Sequence, residues 1–306
     1  MKVVKSVHEL IGNTPLIEIT SYPLPTGTRL FAKLEFFNPG GSVKDRLGME
    51  LLEDAFEKGL LKECSTVIEP TAGNTGIGLA IAANRRNINV MFVVPEKFSQ
   101  EKQALMRALG ATVVNTPTSE GMTGAIEKAK KLVEEIPNSY LPLQFQNPAN
   151  PSTYYKTLGP ELVEQLNGKI DVFVAGAGSG GTFAGTAGYL KDHLPEVKTV
   201  IVEPEGSILN GGKPGPHDTE GIGMEFIPSF LYQSLMDTIY TVSDDDAFRC
   251  VKELALKEGL LVASSSGAAF FASLKEAENA KPGSTIVTIF PDSSDRYLSK
   301  NIYGER

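Results

Sequence analysis

Short β-rich runs alternate with amphipathic helical patterns along almost the whole chain, and this alternation restricts the fold more than any other feature. Parallel strands need a crossover connection, usually a helix, so the alternation predicts parallel sheets flanked by helices. The predicted strands are 29–37, 66–69, 89–94, 111–115, 141–144, 171–175, 199–203, 238–242, 260–263 and 285–290. So many strands exceed what one twisted open sheet usually holds. We therefore expect an α/β protein with two doubly wound domains and a cofactor cleft between them.

The domain boundaries follow from composition. The stretch 146–152, Q-N-P-A-N-P-S, is rich in Pro and Asn, which favours it as the segment where the chain passes from one domain to the other. We predict an N-terminal α/β domain over 12–145. Residues 1–11 and 146–306 are predicted to form the C-terminal α/β domain.

A lysine stands at the first of four turns in which a strand pattern gives way to a helix pattern. The turn reads N-P-G-G-S-V-K-D-R over 38–46. Ser42 and Asp45 have the spacing of a capping-box-like pair, which places Lys44 in the first turn of a helix. The helix dipole and Arg46 disfavour a protonated amine there, so Lys44 is a candidate for Schiff-base chemistry. The alternative is a solvated lysine in a surface turn.

The second turn is E-P-T-A-G-N-T-G over 69–76. Small polar residues at a helix N-terminus leave backbone N–H groups free, which suits an anion such as a carboxylate. Asn74 adds an amide that can meet a hydroxyl or ring oxygen. An ordinary capped turn between strand and helix is the alternative.

The third turn, G-A-G-S-G-G-T over 176–182, follows an apolar strand and opens a helix. Its glycines, with the hydroxyls of Ser179 and Thr182, predict a phosphate cradle. The fourth turn, A-S-S-S-G-A-A over 263–269, is again at a predicted strand end. Its hydroxyls either bond a ring nitrogen or cap the helix.

A dinucleotide site competes with this interpretation. Gly176, Gly178 and Gly181 match G-x-G-x-x-G, and Glu203 follows about 20 residues later, as a NAD-dependent Rossmann dehydrogenase requires. Against it, the motif lies past mid-chain and no histidine is well placed for hydride transfer. A dehydrogenase also leaves Lys44 and the second turn unexplained.

Composition excludes several other classes of function. The net charge of −8 argues against nucleic acid as the main partner. The two cysteines lie far apart and the three histidines are scattered, so we expect neither a metal site nor a disulfide framework. This cysteine usage fits a cytoplasmic location. There is no signal-peptide-like start and no apolar run of the roughly 20 residues that span a bilayer, so we expect no membrane association.

Taken together, these motifs resemble the cysteine synthase and cystathionine β-synthase family of pyridoxal phosphate enzymes. The resemblance covers the whole chain, in order. It rests on I-G-N-T-P-L (11–16), K-L-E-x-x-N-P-G-G-S-V-K-D-R (33–46), E-P-T-A-G-N-T-G (69–76), G-x-G-S-G-G-T (176–182), E-G-I-G (220–223) and S-S-G-A-A (265–269). It implies a tryptophan synthase β-like fold, also called fold type II, and pyridoxal 5′-phosphate as the cofactor.

The resemblance also implies a role for each site residue. Lys44 matches the lysine that forms the Schiff base with the cofactor and later removes the substrate α-proton. Asn74 matches the residue that hydrogen-bonds the phenolic oxygen of the cofactor. Ser265 matches the serine that faces the ring nitrogen of the cofactor. The phosphate loop corresponds to Gly178, Ser179, Gly180, Gly181 and Thr182. The substrate carboxylate is held by residues matching Thr71, Gly73, Asn74, Thr75 and Gln144.

Two positions bear on the thiol that completes the reaction. Cysteine synthases of this family usually carry T-S-G-N-T in the second turn, where this chain has Ala72 at the serine position. The loop E-G-I-G is similar to that of cystathionine β-synthases, where Glu220 would orient the amino group of homocysteine and Gly221 would lie beside the substrate amine. The resemblance therefore implies that the chain makes cystathionine from O-acetylserine, or serine, and homocysteine.

Other functions remain open at this level. One is a cysteine synthase that uses sulfide, and another is a non-catalytic binding protein of the same fold, such as one that complexes a serine acetyltransferase. Intact Lys44, Asn74 and phosphate-loop residues argue against loss of activity. The family also implies a homodimer.

Overall fold

The structure, a computed structural model, describes residues 3–71 and 73–304. Ala72, to which part of the prediction about the thiol refers, lies outside the described residues. Within that part of the chain there are ten strands, numbered in chain order: β1 (Leu16–Ile19), β2 (Arg29–Leu34), β3 (Thr66–Pro70), β4 (Asn89–Pro95), β5 (Thr112–Thr116), β6 (Ser139–Tyr140), β7 (Val172–Gly176), β8 (Lys198–Pro204), β9 (Thr238–Val242) and β10 (Thr285–Phe290).

Nine α-helices connect the strands within the same described ranges. They are α1 (Lys44–Glu57), α2 (Asn74–Ala83), α3 (Gln100–Ala108), α4 (Gly121–Glu135), α5 (Ala149–Lys156), α6 (Leu158–Gln165), α7 (Gly181–His193), α8 (Asp244–Glu258) and α9 (Ser264–Asn279). None of the helices in the described residues is both long enough and apolar enough to cross a membrane.

The chain divides into two compact units, and the division differs from the predicted domain boundaries. The first unit contains Met1–Ile11 and Asn38–Asn150, and the second contains Gly12–Phe37 and Pro151–Arg306. The sequence predicted 12–37 in the N-terminal domain together with Lys44, and 1–11 in the C-terminal domain, whereas the structure has each segment in the opposite unit. The physical reason is strand pairing: β2 lies parallel to β10, with Leu30 opposite Ile286, so this early segment completes a sheet formed mainly by the C-terminal half.

The first unit is built on a four-stranded sheet in the order β5-β4-β3-β6, and all of its pairs are parallel. Helix α4 packs on this sheet, burying Ala125 and Ala129 against Ile68 of β3 and Val93 of β4. Both alanines are fully buried, and their small side chains allow the helix to approach the sheet closely. The carboxyl end of β3 is thereby fixed just before the second of the four turns.

The second unit is built on a six-stranded sheet in the order β1-β2-β10-β7-β8-β9. Its pairs are parallel except for β1 with β2, which run antiparallel at one edge. The central strand β10 is buried along its whole length and reads T-I-V-T-I-F, a continuous β-branched and apolar run. Such runs are typical of strands covered on both faces.

Most predicted elements are confirmed, with boundary shifts of a few residues, and the α/β fold class is confirmed by both sheets. Two predicted strands are wrong. Residues 260–263 form only an isolated bridge between Val262 and Ser293. Residues 141–143 are irregular and a turn begins at Gln144, because Pro142 has no N–H and Leu143 adopts a positive φ of 50°. Sequence reasoning also missed the short strands β1 and β6.

Candidate active site

Lys44 is the first residue of α1, as the sequence predicts, and its side chain is partly buried. The preceding turn closes with a hydrogen bond of 2.7 Å from the Gly41 N–H to the Asn38 carbonyl, and Gly41 has a φ of 74° that favours glycine. The predicted capping box is wrong. Ser42 Oγ accepts from the Lys44 N–H at 3.2 Å, whereas the Asp45 carboxylate accepts from the Gly40 N–H. Asp45 therefore binds back onto the loop that presents Lys44.

Two glycines hold Lys44 against the start of the next helix. A Cβ atom at Gly48 of α1 would lie 2.3 Å from the carbonyl carbon of Gly78 in α2. A Cβ atom at Gly78 would lie 2.3 Å from the carbonyl oxygen of Lys44. The two helix backbones are thus in direct contact at these positions, and only glycine fits. This contact determines where Lys44 lies relative to the second turn.

The second turn leads directly into a helix, as the sequence predicts. Helix α2 begins at Asn74, and its N-cap Gly73, with a φ of 141°, has no side chain to cap the helix. The buried Thr71 hydroxyl accepts from the N–H groups of Gly73 and Gly76 at 3.1 and 3.3 Å. Thr71 thus shapes the turn from inside, while Asn74 remains partly exposed.

The structure places Gln144 beside this turn, as the resemblance implied. The hydroxyl of Thr75 donates to Gln144 Oε1 at 2.9 Å, and both residues are 4% exposed. The Gln144 carbonyl accepts from the side-chain amide of Asn150 at 2.7 Å. Lys44 and the residues predicted to bind the substrate carboxylate therefore all belong to the first unit, whereas Glu220 and Gly221 belong to the second.

One buried acid in this unit escaped the sequence reasoning. Glu69, at the end of β3, is fully buried and accepts from the N–H groups of Leu143 and Gln144 at 2.8 and 3.0 Å. Burial raises the pKa of Glu69 to about 8, and the two N–H groups act in the opposite direction. The available signal was a glutamate within an apolar strand directly before proline, V-I-E-P.

The third turn lies in the second unit, between β7 and α7. Gly180, the N-cap of α7, has a left-handed φ of 81°, and no side chain caps the helix. Opposite it runs the loop 220–223: the Gly223 N–H donates to the Ala177 carbonyl at 2.9 Å, and a Cβ atom at Gly178 would lie 2.3 Å from the Gly221 carbonyl oxygen. The predicted phosphate loop and the E-G-I-G loop are therefore packed backbone to backbone.

The fourth turn does not use its hydroxyls as caps. Helix α9 begins at Ser264, and its N-cap Ala263 makes no side-chain cap bond. Ser264 Oγ instead accepts from the Glu220 N–H at 3.1 Å. Ser265 is 2% exposed, and its Oγ has no hydrogen-bond partner among the residues that the structure describes. A buried hydroxyl without a partner indicates that a bound group supplies one.

The backbone at Glu220 and Gly221 lies against the start of α9. The Glu220 N–H donates to Ser264 Oγ, and a Cβ atom at Gly221 would lie 3.8 Å from Ser265 Oγ. The Glu220 carboxylate pairs with Lys300 Nζ at 3.6 Å, and its side chain is 19% exposed. Sequence reasoning missed Lys300, because nothing local links a C-terminal lysine to a loop 80 residues earlier.

Glu203 does not fit the dehydrogenase alternative. It is 1% exposed and accepts from the N–H groups of Leu209 and Asn210 at 2.8 and 3.0 Å. The Thr241 hydroxyl donates to it at 3.0 Å. A dinucleotide fold needs this acid to meet a ribose hydroxyl. Here the Glu203 carboxylate instead binds two backbone N–H groups and the Thr241 hydroxyl.

Comparisons with known proteins agree with this geometry. The family described as pyridoxal-phosphate dependent enzyme matches residues 7–292. The chain is 61% identical over 303 residues to O-acetylserine dependent cystathionine beta-synthase of Bacillus subtilis (strain 168), covering 99% of each chain. It is 57% identical over 305 residues to a cysteine synthase of Helicobacter pylori (strain ATCC 700392 / 26695), covering 99% of this chain and 100% of the relative.

Solved structures give the same result. A crystal structure of O-acetylserine dependent cystathionine beta-synthase from Helicobacter pylori matches with a TM-score of 0.97 and 57% identity, covering 99% of this chain and 100% of the other. A crystal structure of O-ureido-L-serine synthase matches with a TM-score of 0.94 and 36% identity, covering 99% of this chain and 96% of the other. These relatives share a fold over their whole length but differ in the named reaction.

Proposed function

Because the chain belongs to the family of pyridoxal-phosphate dependent enzymes, we propose that it joins homocysteine to O-acetylserine, or to serine, to form cystathionine. The observation that carries this choice is Glu220, whose backbone N–H donates to Ser264, next to Ser265 in the chain, and whose carboxylate pairs with Lys300. The relative at 61% identity supports it, since its name gives the same donor and product.

The residues present fit the cofactor. Ser265 offers a buried hydroxyl that lacks a partner among the described residues, and α7 begins at the third turn with no side-chain cap from Gly180, which suits a phosphate. We propose that the cofactor is held by Lys44, Asn74, Gly178, Ser179, Gly180, Gly181, Thr182 and Ser265. When bound, pyridoxal phosphate withdraws electrons from the substrate α-carbon, which weakens the bonds at that carbon.

The amino-acid donor is bound through its carboxylate. We assign this to the second turn and Gln144, where α2 begins at a glycine N-cap and a helix N-terminus favours an anion. The residues concerned are Thr71, Gly73, Asn74, Thr75 and Gln144, with Gly221 beside the substrate amine. Lys44 Nζ then takes the α-proton and later returns a proton to the same carbon.

The reaction balances without an oxidant. The β-carbon–oxygen bond of O-acetylserine breaks, and acetate leaves with the electron pair. The homocysteine sulfur then forms the β-carbon–sulfur bond, and its thiol proton is lost to solvent. Ser265 favours this β-replacement, because a neutral hydroxyl does not hold a proton on a ring nitrogen as a carboxylate would. Weaker electron withdrawal suits the loss of a β-substituent better than transamination.

Glu220 distinguishes the two acceptors. Homocysteine carries an ammonium group that a carboxylate can bind, whereas sulfide has nothing for Glu220 to contact. Lys300 Nζ lies 3.6 Å from Glu220 Oε1 and helps to orient the Glu220 carboxylate. In the variant Glu220→Gln we expect KM for homocysteine to rise by about tenfold, from loss of one charge-assisted bond, with KM for sulfide unchanged. Equal effects on both acceptors would contradict this role.

A second candidate is cysteine synthase activity with sulfide as the acceptor. The specific observation that favours it is the 57% identity to a chain described as a cysteine synthase. Both activities share the donor half of the reaction and differ only in the thiol. A parallel assay with O-acetylserine and either acceptor decides between them, since cysteine as the only product would refute cystathionine formation.

We further propose that the protein acts as a cytoplasmic homodimer in transsulfuration, supplying cysteine from the sulfur of homocysteine. The family resemblance supports the homodimer, and the cysteine usage supports the reducing compartment. Light scattering coupled to size-exclusion chromatography tests the first part. A mass near 33 kDa, that of one chain, would contradict it.

A further inference from the structure

Two parallel strands of this protein end in the same dipeptide and use it in the same way. β3 ends in Glu69-Pro70 and β8 in Glu203-Pro204. Each glutamate is at most 1% exposed, and each accepts two consecutive backbone N–H groups from a loop further along the chain. Glu69 accepts from the N–H groups of Leu143 and Gln144. Glu203 accepts from the N–H groups of Leu209 and Asn210.

The loop at Gln144 has the conformation that such a carboxylate requires. Leu143 adopts a left-handed φ of 50°, which is unusual for a residue with a branched side chain. A left-handed residue turns successive N–H groups toward one side, and such a concave arrangement binds anions. Glu69 Oε2 and Oε1 fill it, one oxygen for each N–H. The left-handed turn therefore persists because the carboxylate is there.

Glu69 also connects the two parts of the proposed carboxylate site. Along the chain it stands two residues before Thr71, whose hydroxyl shapes the second turn. Through space it fixes the backbone of Gln144, whose side chain accepts from Thr75. Both oxygens of Glu69 are engaged by backbone N–H groups, and the residue is fully buried. It cannot touch the substrate, so any effect on binding is exerted through Gln144.

We propose that Glu69 is a positioning residue for the amino-acid donor, one that holds Gln144 in register with the second turn. This inference rests on the proposed function in one respect only, that the second turn and Gln144 bind the donor carboxylate. It does not depend on whether homocysteine or sulfide is the acceptor.

The test uses the holoenzyme with the substitution Glu69→Gln. Glutamine has nearly the same volume, but its amide offers one acceptor oxygen, so its NH₂ group faces the second backbone N–H. We expect KM for O-acetylserine, measured by acetate release, to rise about tenfold, from loss of one backbone hydrogen bond that fixes Gln144, with a smaller change in kcat. Amide hydrogen exchange at Leu143 and Gln144 should accelerate in the same variant.

The matched control is Glu203→Gln. It removes the same kind of bond from the same dipeptide, but the backbone that it holds, at Leu209 and Asn210, contains none of the residues assigned to the donor carboxylate. We expect a comparable loss of thermal stability, with KM for O-acetylserine within twofold of wild type. A change in KM that is equal in both variants would overturn the proposal, because general destabilisation would then explain it.

The two proposals fail in different ways. Acetate release that produces no cystathionine with homocysteine would refute the proposed acceptor, while a raised KM in Glu69→Gln would still support the positioning role. If wild type released no acetate, the proposed donor would be wrong. Hydrogen exchange would then test the role of Glu69 independently. Unchanged exchange at Leu143 and Gln144 in Glu69→Gln would overturn the positioning role, and accelerated exchange would show that Glu69 fixes this backbone.

Discussion

The substitution Gly78→Ala adds a single methyl group where α1 and α2 touch. The added Cβ would lie 2.3 Å from the Lys44 carbonyl oxygen, 2.8 Å from its carbonyl carbon and 3.2 Å from the Asp45 Cα. All three are backbone atoms, which cannot rotate away as the end of a side chain could. The helices must therefore separate at the residue that we propose binds the cofactor.

The magnitude follows from these distances. Ordinary contact begins near 3.4 Å, so the Lys44 backbone must move by about 1 Å. Overpacking of this kind costs about 1–3 kcal/mol, partly offset by the roughly 0.5–1 kcal/mol that alanine contributes over glycine within a helix. A displacement of about 1 Å at a reacting group lowers the turnover rate by about 100-fold. We therefore expect activity to fall far more than stability.

The assay compares the steady-state rate of acetate release and the free energy of unfolding with those of a control, Gly188→Ala. Gly188 is also within a helix, α7, but a Cβ there would meet only Tyr155 Cδ2 at 3.7 Å, an ordinary contact. The control should gain up to about 1 kcal/mol from helix propensity and keep its activity. Wild-type activity in Gly78→Ala would refute the argument that this contact positions Lys44.

Two further predictions follow from the same residues. Lys44→Ala should abolish the visible absorbance of the lysine-bound cofactor in the purified protein, and an unchanged band would show that another residue binds it. Burial raises the pKa of Glu69 to about 8, so between an ordinary carboxyl pKa and about pH 8 the folded protein holds a proton that the unfolded chain has released. The free energy of unfolding of wild type, relative to Glu69→Gln, should therefore fall as pH rises from about 5 to 8, by roughly 1 kcal/mol per pH unit, and level off above that range. Denaturant titrations at several pH values measure this difference, and a difference that stays constant or rises with pH would contradict it.

The turns were predictable from sequence because their signals are local. Each combines an apolar run, a cluster of small residues and a following helical pattern, and the structure places the starts of α1, α2, α7 and α9 at all four. The helix start at Lys44 depends only on its neighbours. Its proposed role as a nucleophile depends on the other three turns as well.

Long-range pairing explains what the sequence did not reveal. Residues 12–37 belong to the second unit because β2 pairs with a strand about 250 residues later, which no local pattern indicates. The run L-P-L-Q over 141–144 has the apolar alternation of a strand. It forms no strand, because the N–H groups of Leu143 and Gln144 bind Glu69, an acceptor more than 70 residues earlier in the chain.

The capping box at Ser42 and Asp45 failed for a related reason. The spacing suits a helix cap, but the Asp45 carboxylate is used by the Gly40 N–H, which shapes the loop rather than the helix. For the three serines at the start of α9, local evidence left capping and ring-nitrogen binding both open. Ser265 Oγ is buried, with no partner among the described side chains and backbone, which argues against a cap at that residue.

The central claim is that this enzyme uses homocysteine to form cystathionine. The most direct measurement supplies purified enzyme with O-acetylserine and offers homocysteine and sulfide in parallel, with both products quantified by mass spectrometry. We predict that cystathionine forms and that kcat/KM for homocysteine exceeds that for sulfide. Formation of cysteine from sulfide, with no cystathionine from homocysteine, would contradict the account.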